Sequence, residues 1–268
     1  MRLKSAAVAL WAALGLLPLL ACAPALAQHT AQHTAQNLAQ AGAPAAAPAA
    51  PPRRLEDSLA QRLAACTLCH GKQGVARPDG YHPRIAGKPA GYLYNQLLNF
   101  RDGRRHYGPM VAMVDVLSDS YLREIANHFA ALDLPYPAPQ AATEPAALLQ
   151  QGQRLALQGD TLRGLPACVS CHGQALTGVA PAVPGLLGLP RDYLQGQLGA
   201  WATGQRRAQA PDCMAQIAKR LSAADVSALA AWLASQPVAG AQPAAAGSAA
   251  PAASARDETR LECGSVPK

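Results

Sequence analysis

The chain has 268 residues, of which half are hydrophobic, only 4% are aromatic and only 15% are charged. Charged residues usually make up about 25% of a globular domain, and Ala and Pro are concentrated at both ends, so we expect only the middle of the chain to fold. The formal net charge of +7 comes without a stripe of Lys and Arg interleaved with aromatic residues, so no nucleic-acid partner is expected.

The N terminus has the layout of a secretory signal peptide. Arg2 and Lys4 precede an apolar run over residues 6–20, which is too short for a membrane-spanning helix and is followed by small residues. Cleavage at the small residues predicts a signal peptide over residues 1–27. The tetrapeptide Leu-Leu-Ala-Cys ending at Cys22 also resembles a lipobox, which leaves a lipid anchor at Cys22 as an open alternative. Either leader predicts export to the periplasm, an oxidising compartment.

Composition divides the rest of the chain into linkers and two segments able to fold. Residues 28–54 are mostly Ala, Gln, Pro and Thr, which predicts an unfolded tether. A cluster of prolines introduces a linker over residues 137–145, and residues 237–268 form an Ala/Pro linker with a short charged tail. We therefore predict two domains, over residues 55–136 and 146–236.

The two predicted domains are copies of one sequence. Eight residue pairs recur at a spacing of 101 positions: Pro83 and Pro184, Gly87 and Gly188, Tyr92 and Tyr193, Leu93 and Leu194, Gln96 and Gln197, Leu97 and Leu198, Phe100 and Trp201, and Gly103 and Gly204. Flanking motifs recur at 102 and 104 positions. Such small drifts are changes of loop length, so the pattern indicates a duplication.

Each copy is predicted to contain three short helices. The first leads into a Cys-x-x-Cys-His frame (residues 55–69 and 146–158), the second carries Tyr-Leu-x-x-Gln-Leu, and the third begins at Ser118 or Ser222, in N-cap positions. The third helix has an apolar face on one side. Its predicted members are Leu122, Ile125, Ala126 and Phe129, matched by Val226, Leu229, Ala230 and Leu233. No run of alternating β-branched residues predicts a sheet.

The Cys-x-x-Cys-His frames predict covalent haem. The first comprises Cys66, Cys69 and His70, and the second Cys168, Cys171 and His172. Two thiols at this spacing can reach both vinyl groups of one porphyrin, and the following imidazole can bind its iron. Zinc is disfavoured because a histidine directly beside a cysteine suits a tetrahedral chelate poorly. A redox dithiol would need a preceding strand. The cofactors expected are thus two covalently bound haem c groups.

The sixth iron ligand should come from downstream in each copy. Met110 and Met214 are the methionines at equivalent places, each eight residues before the serine that opens the last helix. Met113 matches Ile217 in the second copy, which predicts core packing for Met113. His106 is a further rival, but nothing in the second copy matches it. We therefore favour Met110 and Met214.

Pro83 and Pro184 follow their frame histidines by 13 and 12 residues. An iron-bound imidazole usually donates its second N–H to a carbonyl or carboxylate, and the carbonyls of these two prolines could accept it. A rigid turn is the alternative role, and the sequence leaves both open.

Two cysteines remain outside the frames after removal of the leader. Unpaired cysteines are unusual in an oxidising compartment, so we predict a disulfide between Cys213 and Cys263 that folds the tail over the methionine side of the second haem. Two unrelated free thiols remain the alternative.

The ordered motifs resemble a cytochrome c4/c553-type class I domain, and the tandem copy resembles a dihaem cytochrome c4 over about residues 55–236. The resemblance implies an all-α fold of two tandem class I cytochrome c domains and an electron-carrying role in a bacterial periplasm. It also implies axial pairs of His70 with Met110 and of His172 with Met214, with the histidines held by the carbonyls of Pro83 and Pro184. The tether, the tail and Cys213 depart from the family pattern.

Two haems with both axial positions filled leave no vacant iron site, so we predict an electron carrier and not an enzyme. The expected donor is a quinol-oxidising complex or dehydrogenase, and the expected acceptor is a terminal oxidase or reductase. The main alternative is a cytochrome subunit permanently bound to a periplasmic dehydrogenase. A dihaem peroxidase is disfavoured because both copies retain their methionine.

Arginines cluster in the loops ahead of the two methionines. They are Arg101, Arg104, Arg105, Arg206 and Arg207. Steering of an acidic partner, neutralisation of haem propionates and simple solvation all remain open as their role.

Overall fold

The computed structural model describes residues 58–77, 79–238 and 261–267. The predicted signal peptide, the lipobox at Cys22, the tether and residues 239–260 of the C-terminal linker lie outside these ranges. Within them, no helix is both long and apolar enough to cross a membrane.

The first lobe (residues 58–132) is built from four helices. They are α1 (Leu59–His70), α2 (Ala90–Arg101), α3 (Gly108–Val114) and α4 (Asp119–Ala130), with a 3₁₀ turn at Lys72–Gly74. Helix α1 begins where the hydroxyl of Ser58 accepts the amide N–H of Gln61. Helix α2 packs against α4, and the side chains of Leu122 and Phe129 on α4 are almost fully buried between them.

The second lobe (residues 146–238) repeats this plan with one helix more, because its frame histidine lies on a separate short helix. Its helices are α5 (Ala146–Leu157), α6 (Val169–His172), α7 (Arg191–Ala202), α8 (Cys213–Arg220) and α9 (Ala223–Ser235), with a 3₁₀ turn at Thr161–Arg163. Helix α9 crosses α5 so closely at Gly152 that a Cβ atom there would lie 2.1 Å from the carbonyl oxygen of Ala228. Only glycine permits this approach, which brings Leu155 and Leu229 into one core.

The all-α prediction is confirmed, with one small exception. Strands β1 (Gly178–Val179) and β2 (Val183–Pro184) form a two-residue antiparallel ladder in the second lobe. Such short strands carry no alternating pattern and could not be predicted from the sequence. The N-caps at Ser118 and Ser222 are confirmed, because each hydroxyl accepts an amide N–H three residues ahead.

Helices α3 and α8 were not among the three predicted for each lobe. They span seven and eight residues, so neither offers enough turns for an apolar period to stand out. Local residues determine where these helices begin. Pro109 lies in the first turn of α3, and the carboxylate of Asp212 caps α8 by accepting the amide N–H of Ala215. These two helices carry Met110 and Met214.

The lobes meet through backbone hydrogen bonds. The amide of Gly91 donates to the carbonyl of Pro181 at 2.9 Å, and the amide of Arg207 donates to the carbonyl of Arg104 at 2.7 Å. Arg105 and Arg206, from equivalent loops, face one another in an antiparallel bridge. The part of this contact made by Arg105 and Arg206 is therefore built from equivalent positions of the repeat.

The predicted disulfide between Cys213 and Cys263 is present. It holds the tail segment, residues 261–267, against the loop that precedes Met214, where the amide of Gly264 donates to the carbonyl of Pro211 at 2.8 Å. The tail also reaches the first lobe, because the side-chain amide of Asn95 donates to the carbonyl of Ser265 at 2.8 Å.

Candidate functional site

One continuous cavity of about 1800 Å³ passes through both lobes. All the site residues predicted from the sequence line it: Cys66, Cys69, His70, Pro83, Met110, Cys168, Cys171, His172, Pro184 and Met214. A cavity for one small ligand usually measures 300–1,000 Å³. The volume found here is large enough for two large, flat, apolar ligands.

Each frame histidine is fixed by the predicted carbonyl. The Nδ1 atom of His70 lies 2.8 Å from the carbonyl oxygen of Pro83, and that of His172 lies 2.7 Å from the carbonyl oxygen of Pro184. A carbonyl oxygen only accepts, so Nδ1 carries the proton and Nε2 keeps its lone pair. The two imidazoles are thus held in the tautomer that binds a metal through Nε2.

Burial also keeps both imidazoles neutral. His70 and His172 are 8% and 6% exposed, and this burial lowers the pKa of each below its ordinary value. The carbonyls of Pro83 and Pro184 oppose that decrease, while Lys88 adds to it at His172. Since metal binding requires the neutral imidazole, both side chains are in the competent protonation state at neutral pH.

The buried frame thiols are poor nucleophiles. Burial raises the pKa of the Cys66 thiol and raises that of Cys168 to about 11. Thiol–disulfide exchange requires the thiolate, which these surroundings disfavour. The same apolar surroundings suit the edge of a porphyrin.

The structure agrees with the sequence on the position of two candidate methionines and differs on the third. Met110 and Met214 are half-buried and line the cavity. The prediction that Met113 packs in the core is wrong, because its residue is 42% exposed. Only Val114 of the short helix α3 is fully buried, so Met113 is left at the mouth of the cavity. The rival His106 is exposed on the preceding loop.

Two of the clustered arginines point inward. Arg105 donates to the side-chain oxygens of Gln96 at 3.1 Å and Gln197 at 2.7 Å. Arg206 donates to the same oxygens, at 2.9 and 2.6 Å respectively. Sequence reasoning did not assign a role to these glutamines; their recurrence in both copies was the available signal.

The inward arginines have no carboxylate partner in the described part of the chain. Arg206 is 4% exposed, and burial followed by repulsion from Arg105 lowers its pKa. A buried cation next to a half-buried one is costly unless anions neutralise the pair. Haem propionates are anions of suitable geometry for arginine, so this pair fits a haem cofactor.

The remaining arginines of the cluster lie at the surface. Arg101 pairs with Asp119 at 2.7 Å, and Arg104 pairs with Asp102 at 2.8 Å. Arg207 is exposed and donates to the carbonyl of Gly103 at 3.3 Å. The predicted cluster is therefore divided between an interior pair and a solvated group.

Comparisons with known proteins identify relatives of this chain. The cytochrome c family profile matches residues 149–237. A thiosulfate dehydrogenase electron acceptor from Thiomonas intermedia is 38% identical over 176 residues, which cover 65% of this chain and 80% of that relative. Cytochrome c4 from Pseudomonas aeruginosa is 31% identical over 174 residues, covering 64% of this chain and 84% of that relative.

Two solved structures have the same fold. Cytochrome c4 from Acidithiobacillus ferrooxidans matches with a TM-score of 0.55 and 29% identity, over 65% of this chain and 99% of that chain. Thiosulfate dehydrogenase (TsdBA) from Marichromatium purpuratum matches with a TM-score of 0.58 and 34% identity, over 65% of this chain and only 36% of that chain. On these similarities and the duplicated site, the chain belongs to the dihaem cytochrome c4 family, with two tandem cytochrome c domains and two covalently bound haem c groups.

Proposed function

We propose that the chain holds its haems through the ten predicted site residues that line the cavity. Cys66 with Cys69, and Cys168 with Cys171, form the thioether bonds. The axial ligand pairs are His70 with Met110, and His172 with Met214. The haems supply one-electron redox chemistry, and the protein keeps the imidazoles neutral and excludes water from them. A ligand set that is already complete favours rapid electron transfer over catalysis.

Replacing an axial methionine tests this assignment. We expect Met110→His and Met214→His each to lower the reduction potential of one haem, because thioether ligation favours the reduced iron more than a second imidazole does. Each variant should also remove half of the sulfur-to-iron absorption band. The matched control is Met113→His at the cavity mouth, which should change neither property. A full-strength band in Met110→His would contradict the assignment.

The donor that we propose is a thiosulfate dehydrogenase in the periplasm. The relatives from Thiomonas intermedia and Stutzerimonas stutzeri, each 38% identical to this chain, are both named thiosulfate dehydrogenase electron acceptors. Their identity exceeds the 31% of the cytochrome c4 relative from Pseudomonas aeruginosa. The protein would pass these electrons to a terminal oxidase or reductase.

Rapid mixing tests the donor. The oxidised dihaem protein is mixed with thiosulfate and a catalytic amount of thiosulfate dehydrogenase, and both haem absorbances are followed. We expect complete reduction of both haems, and no reduction when either the enzyme or thiosulfate is omitted. Reduction by a quinol-oxidising complex but not by the dehydrogenase would contradict the proposal.

A permanently bound subunit is the second candidate function. The matching TsdBA chain is much longer than this one, which covers 36% of it, so a cytochrome of this fold can form part of a larger enzyme. Gel filtration of periplasmic extract separates the two functions. A free carrier elutes at the size of one chain, whereas a subunit co-elutes with thiosulfate dehydrogenase activity.

We further propose domains over residues 55–136 and 146–236, joined by the linker at 137–145.

Intact-mass analysis of protein from its native host tests the predicted processing. We expect the mass of a chain starting at Gln28 plus two haems, or of a lipidated chain starting at Cys22 plus two haems. Retention of residues 1–21 would contradict both predicted leaders.

A further inference from the structure

Lys88 belongs to the first lobe but its side chain ends in the second. It lies two residues before α2 and is only 4% exposed. Its ammonium group lies 3.4 Å from the carbonyl oxygen of Gly185. Gly185 directly follows Pro184, whose carbonyl accepts the Nδ1 proton of His172. A cation from one lobe is therefore buried on the histidine side of the other lobe's haem site.

This buried cation has no anionic partner in the described ranges. Among its described neighbours are the ring of Tyr136, 5.6 Å from the ammonium nitrogen, and the guanidinium of Arg84, which repels it. Burial lowers the pKa of Lys88 to about 8, so the side chain is still mainly charged at pH 7. An uncompensated buried charge is costly, and it acts strongly on nearby groups because few water dipoles screen it.

In the first lobe the buried cation next to the histidine-binding proline is Arg84, which belongs to that lobe and is not supplied by the other one. The repeat places Leu189 opposite Lys88 and Arg84 opposite Gly185. The Arg84 guanidinium is bound by the linker carbonyls of Leu134 and Pro135. The Lys88 ammonium, in contrast, lies beside the residue that follows Pro184, so its charge is placed in the second lobe.

We propose that the buried charge of Lys88, supplied by the first lobe, raises the reduction potential of the haem in the second lobe. Reduction adds one negative charge to a haem site, and a buried neighbouring cation stabilises that added charge. Because the cation crosses between lobes, docking of the first lobe tunes the redox equilibrium of the second. This inference rests on the ligand assignment under "Proposed function".

Two variants of the full-length dihaem protein test the inference. Lys88→Met removes the charge and keeps the length of the side chain, and Lys88→Gln keeps a hydrogen-bond donor for Gly185 without the charge. The two one-electron steps are resolved by spectroelectrochemical titration. Each step is assigned to a lobe by its displacement in Met110→His and Met214→His.

We expect both variants to decrease the reduced-to-oxidised ratio of the second-lobe haem at fixed ambient potential by roughly three- to tenfold, where tenfold equals 59 mV for one electron. The first-lobe step should stay in place. The matched control is Lys219→Met, which removes one positive charge from the exposed side of α8, where solvent screens it. It should displace neither step appreciably.

Three results would overturn the inference. The potential of the second-lobe haem could be unchanged in Lys88→Met, or the potentials of both haems could shift equally. Lys219→Met could also shift the potential of the second-lobe haem as much as Lys88→Met does. Retention of the sulfur-to-iron band in the Lys88 variants shows that both ligand sets remain intact. Failure of the ligand assignment is distinguishable, because Met214→His would then leave both steps in place.

Discussion

Asp225 is the most heavily hydrogen-bonded carboxylate among the described residues. Its residue is 2% exposed, and its two oxygens accept from Gln151, from Arg163 and from the amide and hydroxyl of Ser222. The amide of Asp225 in turn donates to the Ser222 hydroxyl, which completes a capping box at the start of α9. This one side chain joins α9 to α5 and to the turn at Thr161–Arg163.

Replacement of Asp225 by Asn should destabilise the second lobe. The side-chain amide of Asn has one acceptor oxygen where the carboxylate has two. It therefore leaves part of the interaction with Arg163 and part of the cap at Ser222 without an acceptor. We expect a decrease of about 2–3 kcal/mol in the free energy of unfolding, measured by urea denaturation at pH 7. The matched control is Asp102→Asn, at a surface ion pair with Arg104, where the expected change is below about 1 kcal/mol.

The contribution of Asp225 should depend on pH. Burial alone would raise its pKa, but the hydrogen bonds from Arg163, Ser222 and Gln151 outweigh burial and hold the pKa well below its usual range. The unfolded carboxyl titrates near 3.9. A group whose pKa is lowered by folding stabilises the folded state above its unfolded pKa, and this stabilisation is lost as the pH falls below that value.

We therefore expect the stability difference between the wild type and Asp225→Asn to be constant between pH 5 and pH 7 and to shrink as the pH is lowered from about 4 to 2. Urea denaturation at each pH measures it. Other carboxylates also titrate in this range, and the difference between the two proteins cancels their effect. A difference that grows on acidification would contradict the hydrogen-bonding pattern described for Asp225.

At the scale of single elements, long periodic helices could be predicted and short ones could not. The apolar face of α4 is buried as expected, and of the four positions predicted for α9, three are buried and Val226 is partly exposed. Helices α3 and α8 were missed because caps and prolines define them, and their apolar pattern is too short. The frame cysteines and histidines could be found regardless, because their spacing encodes chemistry and does not depend on where a helix ends.

The crossing of α5 and α9 makes a prediction for Gly152. Substitution by Ala places a methyl group 2.1 Å from the carbonyl oxygen of Ala228, so the two helices must separate. We expect Gly152→Ala to lower the free energy of unfolding by about 2 kcal/mol or more, in spite of the higher helix propensity of Ala. Thermal or urea denaturation of the holoprotein measures this change.

Gly199 in α7 provides the matched control. A Cβ atom at this position meets nothing within 4 Å. Gly199→Ala should therefore stabilise the protein by about 0.5–1 kcal/mol through helix propensity alone. If Gly152→Ala were equally stabilising, the close approach of α5 and α9 would not be a feature of the folded protein.

For the whole molecule, the repeat predicted each site but not how the two sites are connected. Ten cavity residues follow from motifs that are local in sequence or recur at a fixed spacing. The pairing of Arg105 and Arg206 through Gln96 and Gln197 depends on how one lobe packs on the other, and the position of Lys88 does too. No periodicity encodes such packing, so these contacts required the structure.

The tail segment connects both lobes, and its disulfide makes the last prediction. Cys213 and Cys263 are 50 residues apart in sequence. In the chain-entropy description, closing this loop raises the free energy of the unfolded chain by about 4 kcal/mol. The disulfide also fixes the residue directly before Met214. We expect Cys263→Ser to lower the thermal midpoint of the sulfur-to-iron band of the second haem, and to leave that of the first haem unchanged.

Absorbance recorded during heating measures both midpoints, with Met110→His or Met214→His used to assign them to the haems. Treating the wild type with a reductant that acts on the disulfide, followed by alkylation and reoxidation of the haems, should reproduce the Cys263→Ser midpoint, whereas the same treatment of Cys263→Ser should have no further effect. Asn95→Ala removes only the hydrogen bond from the first lobe to Ser265 and should cause a smaller decrease. Equal loss of both bands in Cys263→Ser would show that the tail supports the molecule in general and does not act at the loop ahead of Met214.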